Sequence, residues 1–370
     1  MNIEHFLTNA APSWMIVDAQ QTDIVMSTRI RLARNLADLK FPISFSEQEA
    51  KLVNDKVMQA LLSLNEEQLH FSYFTIKDMP ILQRQILVEK HLISPYLAKN
   101  EKVASVFLTD NEAMSVMVNE EDHIRIQCLA PGMQIEEAYE AASRIDSYLR
   151  RKIPYAYHER YGYLTSCPTN VGTGLRASVM MHLPALTMSK QMNALIQMMT
   201  RLGMVVRGIY GEGSENLGNV YQISNQITLG KSEADILEEL RNVVERIIQR
   251  ERLARKQLLE QAPLVLEDRL SRSLGTLKFA RILTSEEAAT CLSNVRLGVD
   301  LGLIEEISQN RLNECMLLIQ PGFIQQYAGT TLQPAERDMY RAKLMQGKLQ
   351  TQERNETPDT GEKGEEPYDV

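Results

Sequence analysis

The chain has 370 residues, 44% hydrophobic and 24% charged, an ordinary globular composition long enough for two cores. Its formal net charge of -8 argues against a nucleic-acid scaffold and against direct nucleic-acid binding. Four scattered cysteines (Cys128, Cys167, Cys291, Cys315) form no CxxC pair for a structural zinc, and without a basic-then-apolar leader or an apolar run near ~18 residues the chain is expected to be cytoplasmic, reduced and off the membrane.

In chain order, residues 23–26 read as a short strand. Residues 46–64 carry apolar positions at helical spacing, opened by a capping box of Ser46 and Glu49, and residues 80–88 read as a second helix. Residues 103–107, 114–118 and 124–129 alternate as strands separated by polar turns, an antiparallel meander. Residues 135–152 are helical and 162–166 extended, and residues 175–183 read as the start of another helix. Residues 186–202 form one Met-rich amphipathic helix ended by Gly203, and 204–209 and 220–229 read as two further strands. Ser232 and Asp235 cap a long helix whose apolar stripe is Ile236, Leu240, Val243, Ile247, Ala254 and Leu258.

Pro263 marks a domain boundary. From Glu267 to about Lys348 the pattern is helical, with breaks near Leu283, Ile307 and Pro321-Gly322, and Thr284 with Glu287 caps one helix. Apolar residues vanish after Gln350, which predicts a disordered tail over 350–370. The expected fold class is α+β: an antiparallel sheet flanked by helices over 1–262, then a small all-helical domain over 263–349.

The chemistry-bearing stretch is Ser166-Cys167-Pro168-Thr169-Asn170-Val171-Gly172-Thr173-Gly174-Leu175-Arg176-Ala177. It lacks the GK[ST] of a Walker A loop, but its glycines permit close backbone approach, and the helix expected to follow offers free N–H groups to an anion. Cys167 reads either as a small buried hydrophobe or as a thiolate holding a cationic substrate. Arg29 and Arg31 share a strand face in Ser27-Thr28-Arg29-Ile30-Arg31, and Arg125 with Gln127 lies opposite Ile124 and Ile126. Arg207 leads into Gly208-Ile209-Tyr210-Gly211-Glu212, and Glu121 sits in the acidic turn Asn119-Glu120-Glu121-Asp122-His123. Each of these alone reads as a solvated surface group. Together, five arginines and two glutamates suit a phosphate clamp facing a basic nucleophile. His91 and His123 read as structural or stacking groups rather than metal ligands, and no protein metal site is expected.

Together these stretches, over about residues 24–255, resemble the phosphagen (guanidino) kinase family, and within it the bacterial protein arginine kinases of the McsB type. The resemblance implies that Arg29, Arg31, Arg125, Arg176 and Arg207 grip the phosphates of ATP, with Mg2+ as its companion. It implies a nucleotide lining of Ser27, Thr28, Arg29, Ile30 and Arg31; of His91; of Arg176, Ala177, Ser178, Val179 and Met180; and of Arg207, Gly208, Ile209, Tyr210, Gly211 and Glu212. Glu121 and Glu212 would hold the guanidinium, Glu121 being the better base, and Cys167 matches the family's active-site cysteine. Arg337-Asp338-Met339-Tyr340-Arg341-Ala342 matches the RDxxRA motif of the protein arginine kinases, which implies an allosteric phosphoarginine pocket of Arg337, Asp338 and Arg341; without the family it reads as ordinary helix surface after Pro334.

The small-metabolite kinases carry a helical domain ahead of the Ser-Arg-x-Arg strand, whereas here that motif begins at Ser27 and extra helices follow from Glu267. The expected acceptor is therefore arginine within proteins. The resemblance implies ATP-dependent marking of stress-response repressors and damaged proteins, a small zinc-binding activator, a heat-shock repressor as substrate, a Clp ATPase–protease that reads the mark, and a homodimer. The alternatives are a kinase of free arginine or another small guanidino compound, and a non-catalytic adaptor for phosphoarginine proteins.

Overall fold

The computed structural model describes residues 2–8, 11–16, 19, 21–64, 69–100, 102–208 and 217–350. The expected disordered tail lies outside them, apart from Gln350. The strands are β1 (Val25–Arg34), β2 (Phe71–Thr75), β3 (Ser105–Thr109), β4 (Met114–Val118), β5 (Ile124–Pro131), β6 (Tyr157–His158), β7 (Gly162–Tyr163), β8 (Leu175–His182), β9 (Met204–Gly208) and β10 (Val220–Asn225). All but β6 and β7, which pair as a separate hairpin, form one antiparallel sheet in the order β2-β3-β4-β5-β1-β8-β10-β9. The expected meander is β3-β4-β5.

The helices are α1 (Glu47–Leu62), α2 (Ile81–Glu89), α3 (Pro95–Ala98), α4 (Ile135–Lys152), α5 (Pro184–Met188), α6 (Met192–Arg201), α7 (Glu233–Gln261), α8 (Pro263–Phe279), α9 (Ser285–Asp300), α10 (Gln309–Leu318), α11 (Pro321–Ala328) and α12 (Pro334–Gln350). The Ser46–Glu49 and Ser232–Asp235 capping boxes form as read, and Thr284 accepts from the Glu287 N–H. Among the described residues no helix is long and apolar enough to cross a membrane.

Strand alternation divides the sheet into two faces. Ile30 and Leu32 of β1, Ile126 and Cys128 of β5, and Ala177, Val179 and Met181 of β8 join the core under α1, α4 and α7. On the other face, Val106, Leu108, Met117 and Leu129 pack with Phe6, Trp14, Ile86, Leu87 and residues of α8 to α12. The second face is thus covered at one end, while the arginine-bearing middle stays open.

Four expectations are corrected. Residues 175–182 are a strand, not the start of a helix. Leu175, Ala177, Val179 and Met181 alternate with Arg176, Ser178, Met180 and His182, and all but Arg176, which faces the open cleft, are buried because β8 lies in the middle of the sheet. The alternation of Leu175, Ala177, Val179 and Met181 with Arg176, Ser178 and His182 is a readable strand signal, blurred only by the apolar Met180 beside Met181 and by the glycine turn ahead of it, which suits a helix start equally well. The single helix read over 186–202 is two, α5 and α6, broken around Lys190, whose φ is +58°. The short strand read over 23–26 and the strand face read for Arg29 and Arg31 are one ten-residue strand, which begins at Val25 and leaves Asp23 and Ile24 in the turn before it. Strand β2 gave no signal that was read, and β10 ends at Asn225, short of the expected 229.

One buried side chain, Glu89, ties the C-terminal helices to the rest, and another, Arg341, ties them to one another. Glu89, at the end of α2, accepts from the N–H groups of Gly322 (2.7 Å) and Phe323 (3.2 Å), so one helix caps the first turn of another far away in sequence. Arg341 of α12 is buried and donates to the carbonyls of Ile319 (2.9 Å) and Leu283 (2.8 Å) and to Asp338 Oδ1 (2.5 Å).

Burial pushes the Glu89 carboxyl up from 4.5 to about 7, against the pull of its three hydrogen bonds. A carboxyl raised in this way holds its proton more tightly in the folded chain. Its contribution to stability is therefore greatest below about pH 4.5 and is lost as the pH rises to about 7. Glu89→Gln removes that dependence. Between about pH 4.5 and pH 8, urea unfolding should show the stability difference moving in favour of the variant by on the order of 3 kcal/mol.

Candidate active site

The open face gathers the arginines. Arg31 of β1 lies directly across from Arg176 of β8 on one side and Gln127 of β5 on the other, with Arg29 across from Ser178. Like charges directly opposite on neighbouring strands are destabilising. Arg29 Nη2 donates to Gln222 Oε1 (2.6 Å), and Arg176 Nη2 reaches Ser224 Oγ (3.4 Å). An outer cleft of about 450 Å³ and an adjoining inner one of about 200 Å³ are both lined by Arg31, Arg125, Arg176 and Arg207, and Arg29 lines the inner one.

Burial, then Arg176 and Arg125, push the Arg29 guanidinium down to about 10, and burial with Arg29, Arg125 and Arg176 pushes Arg31 well down against the pull of Glu120. Arg29 at about 10 stays protonated at neutral pH. The Nε atoms of Arg29 and Arg31 are buried with no hydrogen-bond partner among the described residues. A ligand bearing several anionic oxygens satisfies both the unused donors and the crowded positive charge.

The acidic turn is not the solvated hairpin that its composition suggests. Asn119, Glu120, Asp122 and His123 are all buried. Asn119 takes a φ of +58° and donates to the carbonyls of Ala50 and Val103. Arg125 bridges Glu120 (2.7 Å) and Glu121 (3.0 Å), and Glu120 is also held by Ser94 Oγ (2.6 Å). Asp122 accepts from Asn35 Nδ2 and from the Ser166 N–H, both at 2.6 Å, which stitches the turn to the cysteine loop. Glu121 alone is left at the cleft wall with its side chain 41% exposed. Partial burial raises its carboxyl, Arg125 pulls it down, and Glu120 and Asp122 push it back up.

Cys167, Thr169 and Asn170 form the neighbouring wall, with Cys167 Sγ 3.0 Å from Thr169 Oγ1. The loop is held by Thr228, whose hydroxyl donates to the Thr169 (2.9 Å) or the Val171 (2.7 Å) carbonyl. Gly172 (φ +117°) and Gly174 (φ +63°) are required here: a Cβ would meet the Thr228 carbonyl at 2.5 Å and Arg34 Nη1 at 2.5 Å respectively. Because β8 follows, no helix N-terminus stands behind Gly174, and the anion-binding role expected of one falls to the arginines. Ile209, Tyr210, Gly211 and Glu212 lie outside the described residues; Arg207 and Gly208 lie within them.

Residues 52–254 match the family described as ATP:guanido phosphotransferase, C-terminal catalytic domain. The chain belongs to this family. Residues 263–360 match the protein-arginine kinase McsB C-terminal domain. A protein-arginine kinase of Halalkalibacterium halodurans is 53% identical over 95% of this chain and 99% of its own. Those of Geobacillus sp. (strain WCH70) and Bacillus subtilis (strain 168) are each 51% identical, over 96% and 94% of this chain and 98% and 96% of theirs. Among solved structures, lombricine kinase aligns with a TM-score of 0.58 at 26% identity, covering 69% of this chain and 71% of that one. A duplicated taurocyamine kinase from Schistosoma mansoni aligns at 0.56 and 22% identity, covering 85% of this chain and 50% of that one, and shares the fold.

In this guanidino phosphotransferase chain the other expected nucleotide residues divide by face. Ile30, Ala177 and Val179 lie in the core behind the sheet, leaving only their backbone to the cleft side. Thr28 Oγ1 bonds the Gly132 carbonyl, Ser178 Oγ bonds the Arg29 carbonyl, and Ser27 is buried beside them. His91 (φ +59°) lines the inner cleft, and its carbonyl accepts from Gln127 Nε2. Burial, then Arg29 and Arg31, push its imidazole down to about 3, so it is neutral. Met180 and His91 also border a small apolar cavity. Arg337, Asp338 and Arg341 are brought together on α12 rather than into the cleft: Arg341 is buried on Asp338, and Arg337 Nη1 holds the Leu332 carbonyl (2.9 Å).

Sequence reasoning missed Glu120, Gln222, Asn170 and Gln226. Gln222 and Ser224 alternate on β10, which is a readable signal; Glu120 and Glu121 look equivalent until the turn is folded.

Removing one of the opposed charges should separate stability from binding. Arg31→Met is expected to melt at the parent's temperature or a few degrees higher, about 1 kcal/mol of relief. Inorganic tripolyphosphate should raise the melting temperature of the parent and fail to raise that of the variant.

Proposed function

We propose that this chain transfers the γ-phosphoryl group of ATP to the guanidinium of arginine side chains in proteins. The observation that carries the reading is the convergence of Arg29, Arg31, Arg125, Arg176 and Arg207 on two joined clefts whose outer end holds Glu121 and Cys167. Relatives named protein-arginine kinase, matched over nearly the whole chain, support the choice of a protein acceptor.

Phosphoryl transfer needs in-line alignment and neutralisation of charge spreading over phosphoryl oxygens. Arginine forks suit both, because they grip oxygens bidentately, and magnesium enters with the nucleotide, carried by phosphate oxygens and water. The acceptor guanidinium, with a pKa above ~12, is a poor nucleophile until it gives up a proton. Glu121 receives that proton as the acceptor nitrogen bonds to phosphorus and the bond from phosphorus to the ADP oxygen breaks. Burial raises the Glu121 carboxyl and so makes it a stronger base. Cys167 and Glu212 complete the guanidinium's surroundings on this reading, and Glu120 keeps Arg125 aimed at the phosphates while Glu121 is engaged with the acceptor. Arg337, Asp338 and Arg341 constitute a second, regulatory site for phosphoarginine. By the same family reading the protein works in the cytoplasm as a homodimer, with a small zinc-binding activator, a heat-shock repressor as substrate and a Clp protease downstream.

The test is mass spectrometry of a protein substrate after incubation with Mg·ATP, looking for an acid-labile +80 Da mark on arginine (about one HPO3 unit). Glu121→Gln should retain nucleotide binding while its rate falls by roughly 10²–10⁴. Strong turnover of free arginine with no labelled protein would refute the protein acceptor. Because Glu121 must be ionised, kcat/KM should fall in acid with a midpoint above the ordinary 4.5 of a glutamate.

A further inference from the structure

The apolar cavity beside the arginine clefts draws its walls from both ends of the chain. His91 lines both this cavity and the inner arginine cleft, so the two adjoin. One side is Trp14, Met15, Met26 and Met180; the other is Ser285 and Ala289 of α9 with Met316 and Gln320 at the α10–α11 junction. Met180 lies four residues from Arg176 on the same face of β8, a separation of about 13 Å at ~3.3 Å per residue. That is roughly the reach from a terminal phosphate to the base of an extended nucleoside triphosphate. The cavity measures about 60 Å³, room for one edge of a purine, and methionines line it on both sides; their unbranched thioether chains re-pack around flat aromatic groups. The buried indole Nε1 of Trp14 has no hydrogen-bond partner among the described residues. It is a donor available to a ring nitrogen.

We propose that the C-terminal helices form the outer wall of the purine-base pocket, through Ala289 of α9 and Met316 and Gln320 at the α10–α11 junction. The inference rests on the reading of the arginine clefts as the triphosphate site and goes beyond it: the helices after Pro263 contribute directly to nucleotide affinity. The wall is held from two sides. Glu89, next but one to His91, caps α11 through Gly322 and Phe323, and Arg341 Nε holds the Ile319 carbonyl immediately before Gln320. The wall residues touch the base end alone, so they distinguish a nucleotide from a bare polyphosphate.

Calorimetric titration of the full chain with ATP and, separately, with inorganic tripolyphosphate tests this. Gln320→Trp, at a half-buried position, and Ala289→Leu, at a buried one, both fill the cavity. Each should weaken ATP by about tenfold or more while tripolyphosphate binds as to the parent, which also certifies an intact fold. If a variant binds both ligands like the parent, or loses both equally, the wall is refuted. Arg176→Ala separates the two readings. Should the parent bind neither ligand, or Arg176→Ala bind both unchanged, the triphosphate reading fails and this inference falls with it. If Arg176→Ala weakens both and the wall variants weaken neither, only the wall is lost.

Discussion

Arg31 and Arg176 face each other across neighbouring strands, and that opposition of like charges is the constraint to which the rest of the structure answers. Burial sharpens it, since removing guanidinium groups from water strengthens every charge–charge term around them. Such an arrangement persists only on a scaffold that tolerates its cost. Here that scaffold is the continuous apolar layer directly behind the same strands, where Ile30, Ile126, Ala177 and Val179 pack under α4 and α7. One strand residue in two serves stability and the next serves charge. The neutral state of His91 follows from its burial first and from the same field second, because a further cation beside Arg29 and Arg31 would add to the repulsion.

Around this centre the polar groups are arranged to leave few degrees of freedom. Glu120 and Glu121 are adjacent in sequence, but one is fixed between Arg125 and Ser94 and the other stands at the cleft wall. Asp122 joins their turn to the Cys167 loop, and Thr228 with the glycines at 172 and 174 fixes the far side of that loop. A phosphoryl-transfer site profits from such rigidity, since small misalignments of nucleophile and phosphorus lose much of the advantage of proximity. The helices after Pro263 share a core with Trp14, α2 and the outer strands, so their position and that of the inner cleft are set by the same packing.

Much of this was legible in the chain. The meander showed its period of two, the long helices showed their caps, and the Ser166–Ala177 stretch with its companion arginines was specific enough to announce a guanidino kinase. Residues 175–182 were misread because a glycine turn ahead of them suits a helix start as well as a strand, and the adjoining Met180 and Met181 blur an alternation that the other positions do show. The turn at 119–123 was misread because Asn119, Glu120 and Asp122 have the composition of a solvated hairpin, and only partners as distant as Asn35, Ala50 and Ser94 bury them. Arg341 looked like helix surface because the carbonyls it satisfies, at Leu283 and Ile319, belong to other segments.

The amino-acid sequence by itself therefore determined the chemical inventory and the local geometry: which side chains share a strand face, where helices begin, which loop must contain glycine, and which family the pattern resembles. These are properties of neighbours within a few residues, decided by dihedral preference and period. Only the tertiary structure decided which of two adjacent glutamates is an anchor, that five arginines meet on one face, and that helices from the end of the chain stand beside the inner arginine cleft. Those are consequences of long-range packing, in which a residue's burial and charge environment come from segments that no local pattern can name.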